Sequence, residues 1–277
     1  MKIEFRLSDW EQNRELRQEY LSSLVYRMDS YLEDQMEQCE VYTINADKVR
    51  CGIAAKRKDE LYVFYLPKSH LGAGPDLFAQ FIEEFAVRAV TFQTHDSLLA
   101  GLVADWEYQK EKEAYLFADG GKGETPPPAF PLSAFSAADG NDAALIAAKT
   151  GDFFDRLPER IARGEIYKLL SDGELLGCGI IEPSRYYGDV ASIGMITCRE
   201  HRGKGVGQSI LRQLKEVCYA QGLTPVAGCW YYNTLSRKTL RRAGMYPVSR
   251  LLRAILTGRE KVPERTGNPP GEEVADR

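Results

Sequence analysis

Arg202-Gly203-Lys204-Gly205-Val206-Gly207 lies between a strand-like run, Ala191 to Thr197, and a run with helical periodicity, Gln208 to Ala220. A glycine-rich turn that opens a helix aims several backbone N–H groups, and the positive end of the helix dipole, at one small volume. That arrangement suits a phosphate or pyrophosphate, so the stretch predicts an α/β chain that holds a phosphorylated ligand.

Working outward, Glu165 to Leu170 and Leu175 to Ile181 read as strands around Ser171-Asp172-Gly173-Glu174, whose Asp-Gly is a hairpin signal. The helix after the turn carries Ile210, Leu211, Leu214, Val217 and Cys218 on one face, and Gly222 supplies its stop. Pro225 to Tyr232 reads as a strand. Asn233-Thr234 caps a short helix through Ala243, and Pro247 to Leu256 is apolar enough to close the sheet.

The first half reads similarly, with strands at Glu40 to Ile44, Val49 to Ala55, Leu61 to Leu66 and Tyr108 to Phe117, and a helix from Pro75 to about Val90. A faint repeat links the halves: the segment from Asp29 to Tyr42 resembles that from Asp152 to Tyr167, and each precedes a strand pair containing Cys-Gly-Ile, at 51–53 and 178–180. In place of the phosphate turn the first half has Lys68-Ser-His-Leu-Gly-Ala-Gly-Pro75, where the basic residue is displaced and Pro75 removes a donor. The expected organisation is a degenerate first domain over 1–120, a Pro/Gly-rich linker over 121–142, a complete domain over 143–257 and a mobile tail over 258–277, poor in large apolar residues.

The chain has 277 residues, 44% of them hydrophobic, enough to build packed cores. Its six cysteines are scattered without metal-ligand spacing, and no run approaches a membrane span, which together lead to the expectation of a cytoplasmic protein with no metal and no membrane partner. Residues 1–120 carry a formal charge of −8 and residues 143–257 carry +7. The positive residues share their helices with acids and form no run interleaved with aromatics, so nucleic acid is not expected; a basic lobe balanced by an acidic neighbour and turned toward an anionic ligand is.

The second half resembles the GCN5-related N-acetyltransferases, the GNAT superfamily. Their signature is a strand followed by [Arg/Gln]-x-x-Gly-x-[Gly/Ala] and a helix, which Arg202-x-x-Gly205-x-Gly207 meets; Asn233-x-x-Ser236 and Gly244-Met245 fit the next family element. The resemblance covers roughly 143–257 and implies tandem lobes, each a mixed, mostly antiparallel sheet flanked by helices. It also implies acetyl-CoA as the ligand, contacted by Met195, Ile196 and Thr197 on the strand, by Arg202, Gly203, Lys204, Gly205, Val206, Gly207 and Gln208 at the turn, and by Asn233 and Ser236. His201 would pack or touch the cofactor, and amides near Thr197 and Cys198 would polarise the thioester carbonyl.

Direct transfer to an amine needs a base and an acid. Many family members place a tyrosine seven residues after the Asn; here that residue is Leu240. The sequence offers Tyr232, with Tyr231, Tyr246 and Ser236 nearby, as acids, and Glu182 and Asp189 as bases. Cys198 and Cys229 are expected to be inert. The expected activity is acetyl transfer from acetyl-CoA to the primary amine of a small molecule or peptide, with a non-catalytic acyl-CoA binder as the alternative and a homodimer as a further expectation.

Overall fold

A computed structural model describes residues 2–121 and 127–259. The first half runs β1 (Ile3–Ser8), α1 (Arg14–Ser23), α2 (Ser30–Glu37), β2 (Glu40–Ala46), β3 (Val49–Arg57), β4 (Glu60–Tyr65), α3 (Gly74–Glu84), β5 (Ala89–Gln93), α4 (Ser97–Ala104) and β6 (Trp106–Asp119). The second runs β7 (Phe135–Ala137), α5 (Ala143–Thr150), α6 (Leu157–Ala162), β8 (Ile166–Ser171), β9 (Glu174–Pro183), β10 (Val190–Thr197), α7 (Val206–Ala220), β11 (Thr224–Trp230), α8 (Thr234–Arg242) and β12 (Met245–Arg259). Strand and helix alternate in the same order in both halves, so the faint sequence repeat is a repeat of architecture.

Several segments depart from expectation. The helix expected to reach Val90 ends at Glu84: Ala86 takes a left-handed φ of 47°, and Ala89-Val-Thr-Phe-Gln becomes a strand buried along its whole length. A continuous apolar run has no period by which a strand and a helix end can be told apart. Within the expected linker, Phe135–Ala137 forms an edge strand on β8. β12 extends two residues into the expected tail; residues 122–126 of the linker and 260–277 of the tail lie outside the described residues.

The halves do not build separate sheets. One twelve-stranded sheet runs β1-β2-β3-β4-β5-β12-β6-β11-β10-β9-β8-β7. The last strand of each half has crossed into the other: β12 pairs with β5 from Leu251↔Gln93 to Ile255↔Ala89, while β6 pairs with β11 from Ala227↔Phe117 to Trp230↔Ala114. Each of these two long strands also pairs with the other, from Met245↔Asp119 to Arg259↔Trp106. Pro247 to Leu256 therefore closes the sheet, as its composition predicts, but at the other domain's edge.

Helices cover both faces. α7 packs Ile210, Leu211 and Leu214 against Leu176, Ile181 and Ile193, whereas α5 and α6 place Ile146, Leu157 and Ile161 against Ile166, Leu175 and Ile180. α1 and α2 cover Ile53, Ala55 and Val63 and also reach Val190 and Val226 of the second half. α2 and α6 meet on one face, where Glu182 accepts hydrogen bonds from Ser30 Oγ (2.8 Å) and Arg160 Nη1 (2.6 Å). Among the described residues no helix is long and apolar enough to cross a membrane.

The strand exchange leaves either half alone with an open interior edge. Residues 1–121 and 127–277, expressed separately, are expected to lack a cooperative thermal transition by circular dichroism, and co-expression is expected to restore it. A cooperative transition in the isolated first half would contradict this dependence.

Candidate active site

β10 and β11 are parallel neighbours for three pairs only, Val190↔Thr224, Ala191↔Pro225 and Ser192↔Val226. Beyond Ser192, β10 stays on β9 as far as Thr197 while β11 stays on β6, and the two strands part. The hydrogen bonds of Ser184 N–H to Val190 C=O and of Cys198 N–H to Leu176 C=O, both 2.9 Å, fix which residues of β10 bond to β9. Because main-chain groups alternate along a pleated strand, Met195 and Thr197 turn theirs into the gap. Tyr231 N–H donates to Glu113 C=O (2.8 Å), which by the same alternation turns Gly228 and Trp230 of β11 into it. The amide of Cys198, expected beside the thioester, is therefore taken by Leu176; that of Thr197 faces the gap.

The glycine turn stands at the mouth of this gap. Gly203 and Gly205 adopt φ of 80° and 81°, a region that disfavours any side chain. Gly205 caps α7 and has no side chain to take the first N–H groups of the helix, and among the described residues no other side chain accepts from them. A Cβ on Gly207 would lie 2.9 Å from Met195 Sδ and 3.2 Å from Thr197 Oγ1, so glycine here lets the helix start close against β10. Asn233 Oδ1 accepts from Ser236 N–H (3.0 Å) and starts α8 on the opposite wall.

Between α7 and α8 lies a cleft of about 470 Å³. Its lining includes Met195, Ile196, Thr197, Arg202, Gly203, Gly205, Val206, Gly207, Gln208, Asn233 and Ser236, all expected from the sequence. Lys204 is exposed on the turn and does not line the cleft. Phe153, His201, Leu235, Lys238, Thr239 and Arg242 complete it. Four of these fall at 235, 238, 239 and 242, the spacing of one helix face, so helical periodicity after Asn233 was the available signal.

The expected proton-transfer residues do not gather in the cleft. Asp189 is exposed just ahead of the first residue of β10 and is not among the residues that line the cleft. Glu182 is held by Arg160 and Ser30. Tyr232 is 58% exposed and sets its ring edge-on to Trp230, outside the cleft lining. Tyr231 stacks on Tyr115 with centroids 4.7 Å apart, and Leu240 is buried among core residues that include Phe117 and Met245. Burial raises the thiol pKa of Cys198, and that of Cys229 to about 11, which keeps both protonated and unreactive.

Sequence spacing suggested no metal ligands, yet Glu174, Glu200 and His201 come within 4.8 Å of one another. Glu200 is paired with Lys149, and His201 Nε2 lies 3.1 Å from Glu174 at the cleft's edge.

Residues 9–120 match a family model described as an acetyltransferase (GNAT) domain, and residues 139–245 match the acetyltransferase (GNAT) family model. The chain is thus a tandem of two GNAT acetyltransferase domains, and the first half is such a domain in its own right. A GNAT-family acetyltransferase from Colwellia psychrerythraea is similar with a TM-score of 0.79 at 18% identity, covering 92% of this chain and 100% of that one. A GCN5-related N-acetyltransferase from Sphaerobacter thermophilus gives 0.61 at 17% identity over 92% and 96%. A tandem GNAT protein from the clavulanic acid biosynthesis pathway gives 0.60 at 12% over 91% and 98%. These identities carry the fold, and no curated protein matches the chain in sequence.

Asn233→Ala is expected to lower stability by about 1 kcal/mol in urea unfolding, through loss of the cap that starts α8, and Asn233→Asp to leave it nearly unchanged. An unchanged midpoint in the alanine variant would remove the capping role.

Proposed function

We propose that the protein is an N-acetyltransferase that moves an acetyl group from acetyl-CoA directly to a primary amine of a small molecule or peptide, and that its second domain holds the acetyl-CoA. The observation that carries this reading is the uncapped start of α7 opening onto the gap between β10 and β11. A pyrophosphate fits the amides from Gly203 to Gln208, with Arg202 adding charge, and Lys238 and Arg242 on the facing wall suit further phosphate. An extended thioester arm fits the gap, where it can take hydrogen bonds from the main chain of Met195 and Thr197 as a missing strand would. The amides of Met195 and Thr197, which face the gap, are the donors available to polarise the thioester carbonyl.

The first domain repeats the fold without this cradle. Its β4 and β5 also pair only at Glu60↔Ala89 and Leu61↔Val90. At the place of the glycine turn, Lys68–Ala73 winds into a 3₁₀-helix in which Pro67 C=O takes the N–H of His70 and Leu71 C=O that of Gly74, and Pro75 has none to give. Leu66, Phe64, Leu77, Phe78, Leu99 and Leu102 share one core there. In this reading the first domain shapes the acceptor side instead of binding a second acetyl-CoA.

Calorimetry is expected to detect acetyl-CoA binding to the wild-type chain; none at millimolar ligand would overturn the assignment. Gly205→Glu, which sets a like charge and a strained side chain against the phosphate position, is expected to weaken binding at least 100-fold with the fold retained. Release of free thiol from acetyl-CoA in the presence of primary amines separates an enzyme from a non-catalytic acyl-CoA binder.

A further inference from the structure

The tip of α2, from the first domain, sits over the point where β10 and β11 part. Ser30 donates its N–H to Ser192 Oγ (2.6 Å), and Ser192 is the last residue of β10 paired with β11. Beside it Asp29 caps α2, with Oδ1 accepting from Leu32 N–H (3.1 Å). Its other oxygen, Oδ2, is aimed at β11: a Cβ on Gly228 would collide with it, so the glycine is what makes room. Gly228 is also one of the two β11 residues whose main chain opens into the gap. Besides Leu32, only its own backbone N–H lies within reach of the carboxylate, and among the described residues no other residue hydrogen-bonds Oδ2, although Asp29 is only 8% exposed.

Holding a carboxylate largely out of water costs free energy, and the second oxygen makes no bond to another residue in return. Two features of its surroundings indicate what it is for. Glu182 lies on the same face but is committed to Arg160, which leaves Asp29 as the carboxylate with capacity to spare. Trp230, two residues beyond Gly228 and so on the same face of β11, is 62% exposed and offers a ring to a cation.

We propose that Asp29 is the proton acceptor of the second domain's active site, supplied by the first domain, and that the acceptor is a cationic primary amine approaching over the α2 face past Trp230. This rests on the acetyl-CoA reading above. Oδ2 takes one proton from the ammonium, the freed nitrogen lone pair forms the C–N bond, and the C–S bond breaks with its electrons on sulfur. The second nitrogen proton leaves to the thiolate, and Asp29 returns its own to solvent, so one proton is released per turnover.

The titration behaviour of the group agrees. Burial, reinforced by Glu33 of α2 and Glu182 of β9, raises its pKa to about 6 against the pull of the Leu32 amide. Also nearby are Tyr31 of α2, Arg160 of α6, which pairs with Glu182, and Arg27, which lies over the Tyr187 ring. Such a carboxyl is ionised at neutral pH and still basic enough to take a proton.

Asp29→Asn is the informative substitution, because asparagine caps helices as well as aspartate and keeps α2 in place. Its thermal midpoint and its acetyl-CoA affinity by calorimetry are expected to stay at wild-type values. Its kcat/KM for putrescine, read as thiol release, is expected to fall roughly 10²–10⁴-fold and to lose the limb that rises through pH 6 in the wild type. Gly228→Ala, which crowds Oδ2, is expected to reproduce the loss with acetyl-CoA affinity intact. Independently of turnover, the ¹³C carboxyl titration of Asp29 is expected to shift to lower pH on adding putrescine, since a neighbouring cation favours the charged form. A kcat/KM within threefold of wild type in Asp29→Asn, a titration that putrescine does not move, or loss of folding or acetyl-CoA affinity in that variant would each overturn the assignment. Absence of acetyl-CoA binding in the wild type would strike the proposed function instead, with the titration still reporting on Asp29.

Discussion

The antiparallel pairing of β6 with β12 is the contact on which the rest of the molecule depends. Each strand is the last of its own domain and lies next to the other domain's fifth strand, so every interior edge of the twelve-stranded sheet is filled by a strand from elsewhere in the chain. An unfilled edge would leave a row of main-chain donors and acceptors unpaired in the middle of the molecule. The exchange also fixes the domains relative to each other by main-chain hydrogen bonds, a far more rigid joint than a flexible linker allows. The cleft uses that rigidity. Tyr115 of β6 stacks on Tyr231, accepts from Arg237 of α8 (2.8 Å) and lies under Arg250 of β12 at 4.0 Å. The hydrogen bond from Tyr231, with the two guanidinium groups, holds the Tyr115 hydroxyl below its ordinary pKa. One wall of the second domain's cleft is thereby held by a strand of the first.

The charge asymmetry of the sequence finds a physical place in the same joint. Acids of α2 receive the loop between β9 and β10: Glu33 accepts from Ser184 Oγ and from Arg185 N–H, Asp34 pairs with Arg185, and Glu37 accepts from the Tyr186 hydroxyl. Ion pairs at an exposed joint contribute little individually. Their value here is positional, since they hold the tip of α2 over the parting of β10 and β11. Part of the first domain's acidity is thus turned toward the second domain.

What the sequence made legible was whatever is decided locally. The turn at Arg202 to Gly207 needs glycines for its own φ values, and Asn233 caps its own helix, so both are readable within a few residues. β5 was hidden because Ala89 to Gln93 is buried on both faces and shows no alternation. The strand exchange was hidden for a different reason: the apolar pattern of β12 is satisfied equally by either domain's sheet, and only the three-dimensional pairing distinguishes them. Glu182 and Asp189 were reasonable as acids at strand ends, but only the folded chain shows that Arg160 occupies the first and that the second stands exposed outside the cleft lining.

Asp29 shows the limit most clearly, because as a sequence feature it is a helix cap, and the structure agrees that it is one. Asp96 is the internal comparison. It too is a buried cap, at the start of α4, with Oδ1 accepting from Leu99 N–H (3.1 Å) and a pKa raised by burial to about 6. Asp96, however, also takes a hydrogen bond from the Tyr20 hydroxyl, which lies in the same core layer. Its capacity is used within one domain, and helix start and packing account for it completely. Asp29 has the same local role and the same burial but meets a glycine of the other domain where Asp96 meets a tyrosine of its own. The difference between a structural aspartate and one available for chemistry therefore lies in what the second oxygen meets, and for Asp29 that neighbour belongs to a strand that arrives about 200 residues later in the chain.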